Sequence, residues 1–252
     1  MRTFLATYTL FLALGSTYTC AQSDEKLMKA KELAQKAAIA GDVTKLNIAL
    51  EHAEEAAKQS SHRANALYYC GFIRYHLCML PSEKDARERH TDEGIAALEE
   101  AISLEPNFAD AHALLGSLYG VKAGLGMING IKYGSKSTSS MERALALVPN
   151  NPRVLILHGI SLYYTPAMWG GNKEKALMVL QKACELAEQG ACIPEKPFSP
   201  DWGHAEAFAW KGAIFAGMGD SEYAKAAYER ALQIAPDYAW VKHILVPKLG
   251  AK

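Results

Sequence analysis

The sequence predicts an all-α fold, a solenoid of about five stacked helical hairpins that ends in a capping helix. Half of the 252 residues are apolar, which is enough to form a large core. Glycines recur at matching positions of successive hairpins, at Gly71, Gly116, Gly159 and Gly212. Eight positions separate the last small residue of one hairpin from the start of the next in four cases: Ala56 to Ala64, Ala101 to Ala109, Ala144 to Pro152 and Ala231 to Ala239. Because unrelated helices would not keep this register, the spacing indicates a repeat array.

Two segments match the beginning and the end of one known repeat. The segment His112-x2-Leu115-Gly116-x2-Tyr119 has the opening pattern of the tetratricopeptide repeat (TPR), with His in place of the usual Trp. The segment Ala224-x3-Tyr228-x2-Ala231-x4-Pro236 has its closing pattern. The small residues let the two helices of a hairpin approach closely, and the proline ends the second helix. The predicted solenoid therefore resembles a TPR array.

The same phase predicts the helices in order. The hairpins occupy about 24–59, 62–104, 108–148, 152–188 and 204–234, a helix of about 238–249 caps the stack, and residues 22–252 form a single domain. The first hairpin has the weakest motif, and its turn at Gly41-Asp42 comes early, as expected of an atypical terminal repeat. Asn172, and Asp220 or Ser221, stand where side chains can cap the free N–H groups of second helices.

Three connections are longer than the repeat requires. From the close-contact glycine to the first small residue of the second helix, the last hairpin has 12 positions, whereas the three before it have 23, 21 and 17. The extra residues lie around 78–90, 121–136 and 164–171, and we expect them side by side on one edge of the stack. The glycine-rich part, 120–134, is predicted to be a flexible connection. A fourth insertion, about 189–203, lies between hairpins and is expected on the opposite edge.

The N-terminus has the features of an export signal. Arg2 precedes an apolar stretch, residues 4–15, that is short for a membrane span, and Thr19-Cys20-Ala21 ends in a small residue suited to cleavage. We therefore expect residues 1–21 to be a signal peptide and the mature protein to be periplasmic or secreted. The alternatives are a short membrane anchor and a lipid on Cys20, which would tether the protein to a membrane.

Charge and cysteine content restrict the partners and the cross-links. The chain has 27 basic and 27 acidic residues, so it offers no strong positive field for a nucleic acid. Cys70 and Cys78 can pair only if their helix ends between them, because eight helical residues span about 12 Å. Cys184 and Cys192 are a candidate disulfide in an exported protein, because Cys192 lies in a Pro-rich loop that can fold back. Buried free thiols are the alternative.

Two stretches in the second half carry a closer resemblance. The run from Pro149 to Ala176, which contains Tyr163-Tyr-Thr-Pro-Ala-Met-Trp-Gly-Gly, resembles a group of exported bacterial TPR proteins. The run Trp202-Gly-His-Ala-Glu-Ala-Phe-Ala-Trp resembles the start of the last repeat of that group. The resemblance implies an export signal and the TPR fold. It implies no known reaction, and therefore no catalytic residues.

TPR grooves contact their ligands mainly through the inward face of the first helices. The residues predicted at such a groove are Asn65, Tyr68, Phe72, Tyr75, Arg153, Tyr163, Tyr164 and Trp169. Tyr68, Phe72 and Tyr75 follow helical spacing and form one stripe, which either lines the groove or packs against a neighbouring repeat or an inserted loop. The turn around Trp169 and Gly170 is either a lid that contacts the ligand or a positive-φ turn in which Trp169 fills a gap, and we favour the second.

No motif predicts a reaction, a metal or a cofactor. The eight histidines lack metal-ligand spacing, and neither a nucleophile elbow nor a phosphate loop is present. The sequence favours a non-catalytic scaffold of the envelope or extracellular space that binds a protein or peptide, with membrane contact only through a lipid on Cys20. The alternative is a small-molecule or lipid-binding accessory protein of a transport system, whose insertions close a pocket lined by Tyr133, Tyr163 and Trp169. An enzyme would need a polar cluster assembled from distant repeats.

Overall fold

In a computed structural model the chain is an all-α solenoid of helical hairpins, as the sequence predicts. The structure describes residues 3–80 and 83–250, with side chains from residue 22 onwards, so the predicted cleavage site and Cys20 lie outside the described side chains. The paired helices are α1 (Thr3–Ala40) and α2 (Val43–Gln59), α3 (Arg63–Met79) and α4 (Lys84–Leu104), α5 (Ala109–Ala123) and α6 (Met127–Leu147), α7 (Pro152–Tyr164) and α8 (Lys173–Glu188), and α9 (His204–Met218) and α10 (Ser221–Ile234). A π-helical turn (Val241–Leu245) and α11 (Val246–Gly250) follow.

The two helices of a hairpin touch where a glycine takes the place of a larger residue. A β-carbon at Gly71 would lie 2.5 Å from Leu98 Cγ, and one at Gly212 would lie 2.4 Å from Tyr228 Cε1. Distances this short are not compatible with van der Waals contact, so a larger residue would force the helices or the facing side chain to move. The close contacts that the glycine spacing predicts are therefore present.

One continuous core runs through both helices of the first four hairpins and reaches α9, and a smaller cluster surrounds α9, α10 and the C-terminal turn. Ile39 at the end of α1 packs against the smaller cluster. A β-carbon at Gly41 would lie 3.7 Å from the β-carbon of Ala239. The end of α1 therefore meets the C-terminal segment that follows α10.

The predicted insertions are mostly helical. Helices α4 and α6 have 21 residues each, against 14 for α10, so the extra residues of these two hairpins lengthen their second helices. The prediction of a flexible connection at 120–134 is therefore wrong, because residues 127–136 form the first turns of α6. A β-carbon at Gly130 would lie 3.6 Å from the carbonyl oxygen of Ala123, which is van der Waals distance, so this part of α6 packs along α5. The connection between α7 and α8 is a 3-10 turn at Ala167–Trp169.

The four cysteines whose side chains are described are free and buried. The disulfide between Cys184 and Cys192 that the sequence left open is not formed. Cys192 lies against Gly203, where a β-carbon would be 3.4 Å from its sulfur, whereas Cys184 lies in the core of α8. Burial raises the pKa of Cys184 to about 12 and that of Cys192 to about 11, so both are protonated at neutral pH.

Candidate functional site

The concave face of the N-terminal half is filled by the chain itself. Residues 189–203, which we call the inner segment, connect α8 to α9 and fold inwards against α1 and α3, instead of staying on the edge where the sequence was expected to place them. Lys31 of α1 donates a hydrogen bond to the carbonyl of Pro197 over 2.8 Å and pairs with Asp201 at 3.0 Å. A backbone carbonyl and a carboxylate of the inner segment are thus held by one nearly buried lysine.

Helix α3 holds the middle of the inner segment through side chains that donate to its backbone. Asn65 donates from Nδ2 to the carbonyl of Phe198 over 3.3 Å, and the Tyr69 hydroxyl donates to the carbonyl of Ser199 over 3.4 Å. The Phe198 ring lies 4.4 Å from the ring of His62, centroid to centroid. Asn65 was predicted to contact a ligand of the groove, and in the structure it contacts the inner segment.

Trp202 is the buried aromatic anchor of the inner segment. Its indole Nε1 donates to the hydroxyl of Tyr68 over 2.8 Å, and its ring centroid is 5.6 Å from that of Phe72. All three rings are buried, and this burial raises the pKa of the Tyr68 hydroxyl well above its usual value. The stripe of Tyr68, Phe72 and Tyr75, which the sequence left open between groove and packing, is therefore buried, and Tyr68 and Phe72 pack against the inserted segment.

Gly203 ends the inner segment and lets the chain turn directly into α9. Its φ is +119°, a conformation that favours glycine, and a β-carbon there would also lie 3.1 Å from Cγ of Arg153. The Gly203 N–H donates to the side chain of Glu206 over 3.0 Å. Burial raises the pKa of that carboxyl group.

Arg153, predicted to face a ligand, is buried in an ion pair between α5 and α7. Its Nε lies 2.5 Å from Asp110 Oδ1, and Asn151 donates to the other oxygen of Asp110 over 2.9 Å. Removal of either charge would leave the other buried without a counter-charge. Arg153 therefore fixes the third hairpin against the fourth and is not available to a ligand.

The C-terminal half of the concave face retains an accessible line of aromatic rings. Tyr163 and Tyr164 end α7, Trp210 lies on the next first helix, and Trp240 begins the C-terminal helical segment. Successive ring centroids are 5.0, 6.1 and 4.6 Å apart in the order Tyr163, Tyr164, Trp210, Trp240. Tyr164 is 63% exposed and the other three are half-buried. We call these four residues the ring row; the sequence predicted Tyr163 and Tyr164 but missed the two tryptophans.

The turn after α7 combines a confirmed and a wrong prediction. Gly170 has φ +94°, and a β-carbon at Gly171 would lie 1.7 Å from the carbonyl oxygen of Thr165, so the glycine pair does permit a tight turn. Trp169, expected to fill a gap beside the turn, is instead 70% exposed. The turn closes on its own backbone, since the Gly171 N–H donates to the carbonyl of Pro166.

The pocket predicted between the insertions is not formed by its three expected rings. Tyr133 stacks on Tyr119 at 5.8 Å, Tyr163 belongs to the ring row, and Trp169 projects into solvent. Within residues 22–80 and 83–250, no three His, Cys, Asp or Glu side chains come close enough to hold a metal ion.

Comparisons with known proteins agree with this architecture. The tetratricopeptide-repeat profile matches residues 205–238, which span α9 and α10. A thermophilic TPR protein of Thermus thermophilus has a similar structure, with a TM-score of 0.59 and 16% identity over 88% of this chain and 97% of its own. The HusA haemophore of Porphyromonas gingivalis is similar with a TM-score of 0.56 and 23% identity over 78% of this chain and 92% of its own. No curated protein sequence matches. These similarities confirm the TPR-type fold that the sequence predicts.

Proposed function

We propose that this chain is a non-catalytic binding protein, exported to the cell envelope or the extracellular space, that binds a segment of a protein or peptide along the ring row. The observation that carries the proposal is the ring row itself, in which four rings from α7, α9 and the C-terminal helical segment follow one another at contact distance. Aromatic rings present a large contact area and lose little conformational entropy on binding, and aromatic-lined grooves hold proline-rich chains.

The inner segment supports this choice of ligand class. It is a non-helical stretch with Pro197 and Pro200, and the first helices hold it by side-chain hydrogen bonds to its carbonyls and by packing against aromatic rings. The concave face thus already binds an irregular, proline-containing chain in its N-terminal half. The ring row continues the same face and offers rings that the inner segment does not cover.

A peptide-display selection on the immobilised chain tests the proposal. Peptides selected on the unmodified chain should bind the double variant Tyr164→Ala/Trp210→Ala at least about tenfold more weakly, because large aromatic residues are frequent hot spots. Tyr223→Ala is the matched control, since this exposed tyrosine stands on α10, a second helix. Equal binding to all three proteins would refute the ring row as the site.

A second candidate is a small planar ligand such as haem, carried for a transport system. The observation in its favour is that Tyr164 and its ring neighbours expose flat apolar surface, on which a planar ring can stack. HusA, described as a haemophore, shares the fold, but a similarity of 23% identity bears on the fold alone. Haemin titration followed by its absorbance should give saturable binding that Tyr164→Ala/Trp210→Ala abolishes; no saturable change would reject this candidate.

Export is proposed on the sequence of residues 1–21. Mass spectrometry of the protein recovered from its native cells should find an N-terminus at Gln22. An N-terminal Cys20 carrying a lipid would indicate the tethered alternative, and an intact Met1 would contradict cleavage before Gln22.

A further inference from the structure

The apolar side chains that project furthest into solvent are concentrated at the connections between first and second helices. Met127, Ile128 and Ile131, at the start of α6, are 85%, 82% and 75% exposed. Met168 and Trp169, between α7 and α8, are 83% and 70% exposed. In a stacked solenoid such connections lie on one edge. We call residues 124–136 and 166–171 together the loop edge.

The first turns of α6 form an unpartnered apolar face. At about 100° per residue, Met127, Ile128 and Ile131 fall within roughly a quarter to a third of the helix circumference. Lys132 lies about 40° beyond this arc and Lys136 about 80° beyond it, and both side chains are exposed. The beginning of α6 is thus amphipathic, with its apolar side towards solvent and a basic border beside it.

The segment from 111 to 141 carries only basic charges in an otherwise neutral chain, although α4 brings Asp92 to Lys122 and Glu99 to the Tyr119 hydroxyl. No Asp or Glu occurs between residues 111 and 141, which contain Lys122, Lys132 and Lys136. Lys122 pairs with Asp92, whereas Lys132 and Lys136 form no ion pair within the described residues and lie over the rings of Tyr133 and Tyr119 at 5.2 Å each. The hydrogen bond from Lys122, together with Lys132, lowers the pKa of the Tyr133 hydroxyl, as expected in a positive field.

We propose that the loop edge docks on the surface of a lipid bilayer that contains anionic lipids. Met127, Ile128, Ile131, Met168 and Trp169 would enter the headgroup region, while Lys132 and Lys136 would lie against lipid phosphates. Apolar side chains with a tryptophan and bordering lysines are the composition of interfacial membrane elements. Among the described residues, no helix is long and apolar enough to cross a bilayer.

A bilayer fits this surface better than a protein partner does. The apolar side chains project from two separate connections and include the most exposed large apolar residues that the structure describes. Hot spots between proteins cluster in packed, desolvated pockets, whereas an interface with lipid takes up separate apolar tips. The proposal does not depend on the ring row, because neither the loop-edge apolar residues nor the lysines named here belong to it.

Vesicle binding by the full chain tests the proposal. We expect sedimentation with vesicles of phosphatidylcholine and phosphatidylglycerol in equal amounts, weaker sedimentation with phosphatidylcholine alone, and weakening by salt. Lys132→Gln/Lys136→Gln should reduce binding to the anionic vesicles at least roughly tenfold, at roughly fivefold for each lysine. Ile128→Ser/Ile131→Ser should reduce binding to both kinds of vesicle by about tenfold or more. Met178→Ser, an equally exposed position on α8, should bind like the unmodified chain.

Hydrogen exchange by mass spectrometry locates the contact and separates it from any binding through the apolar residues 4–15. Vesicles should slow exchange in peptides that cover 124–132 and 166–171. The proposal is overturned if protection is confined to the first residues of the chain, if the substitutions leave binding unchanged, or if the chain does not bind the vesicles. Association of the chain with itself through the loop edge, seen as a dimer that Ile128→Ser/Ile131→Ser disrupts without any vesicle binding, would also overturn it.

Discussion

Trp202 should contribute more to stability than any other side chain of the inner segment, because its indole is buried in the concave face and donates to the Tyr68 hydroxyl over 2.8 Å. The substitution Trp202→Ala removes a large buried ring, which typically costs about 3–5 kcal/mol, and leaves the Tyr68 hydroxyl without its partner. We expect the free energy of unfolding to fall by about 4 kcal/mol. For a domain of this size, that corresponds to a melting temperature lower by roughly 10 °C.

A double-mutant cycle isolates the hydrogen bond from the packing. Trp202→Phe leaves the Tyr68 hydroxyl unpaired, and Tyr68→Phe leaves the indole N–H unpaired, so each should cost about 1–2 kcal/mol. The double variant Tyr68→Phe/Trp202→Phe removes both partners and should cost about 1 kcal/mol less than the sum of the two. Urea unfolding followed by circular dichroism measures all four proteins. Strict additivity, or a loss below about 1 kcal/mol for Trp202→Ala, would refute the packing of the inner segment in the concave face.

Three further predictions concern stability and are measured by the same urea unfolding. Gly212→Ala should lower the free energy of unfolding by about 1–3 kcal/mol, because its β-carbon would collide with a facing ring. Gly134→Ala, which has no atom within 4 Å of the new β-carbon, should raise it by about 0.5–1 kcal/mol. Equal effects of the two substitutions would contradict the close contact. Asp110→Ala should lower the free energy of unfolding by about 3–5 kcal/mol, because it leaves the buried charge of Arg153 without a counter-charge. An unchanged free energy of unfolding would show that the pair is solvated. Burial lowers the pKa of His76 from 6.5 to about 4. As the pH falls from 6.5 to 4, the unfolded chain takes up a proton before the folded chain does, so the free energy of unfolding should fall by up to about 3 kcal/mol. His76→Gln should flatten this fall, and an unchanged pH profile would contradict it.

The fold could be predicted because its main requirement recurs in every repeat. Gly71 and Gly212 must be small since Leu98 and Tyr228 occupy the space where their side chains would be, and the same requirement applies to Gly116 and Gly159. A requirement that returns at regular intervals is visible in one sequence without any knowledge of the structure.

The site could be predicted only in part, because insertions interrupt that regularity. The inner segment has no equivalent in the other hairpins, and its two large rings, Phe198 and Trp202, were the only sign that it would enter the core. In the sequence, the aromatic stripe on α3 has the same spacing whether a ligand or another part of the chain covers it. Trp210 and Trp240 were missed because the repeat pattern alone does not distinguish a ring in the core from one at the open end of the concave face.

The inner segment fills the N-terminal half of the concave face, and the ring row in its C-terminal half is the proposed ligand site. Hydrogen exchange of the chain with and without a selected peptide tests this division most directly. We expect the peptide to slow exchange in 158–165, 207–214 and 238–242, while exchange in 195–203 stays unchanged. Slower exchange in 65–76 together with faster exchange in 195–203 would contradict it, because the ligand would then have displaced the inner segment from the groove.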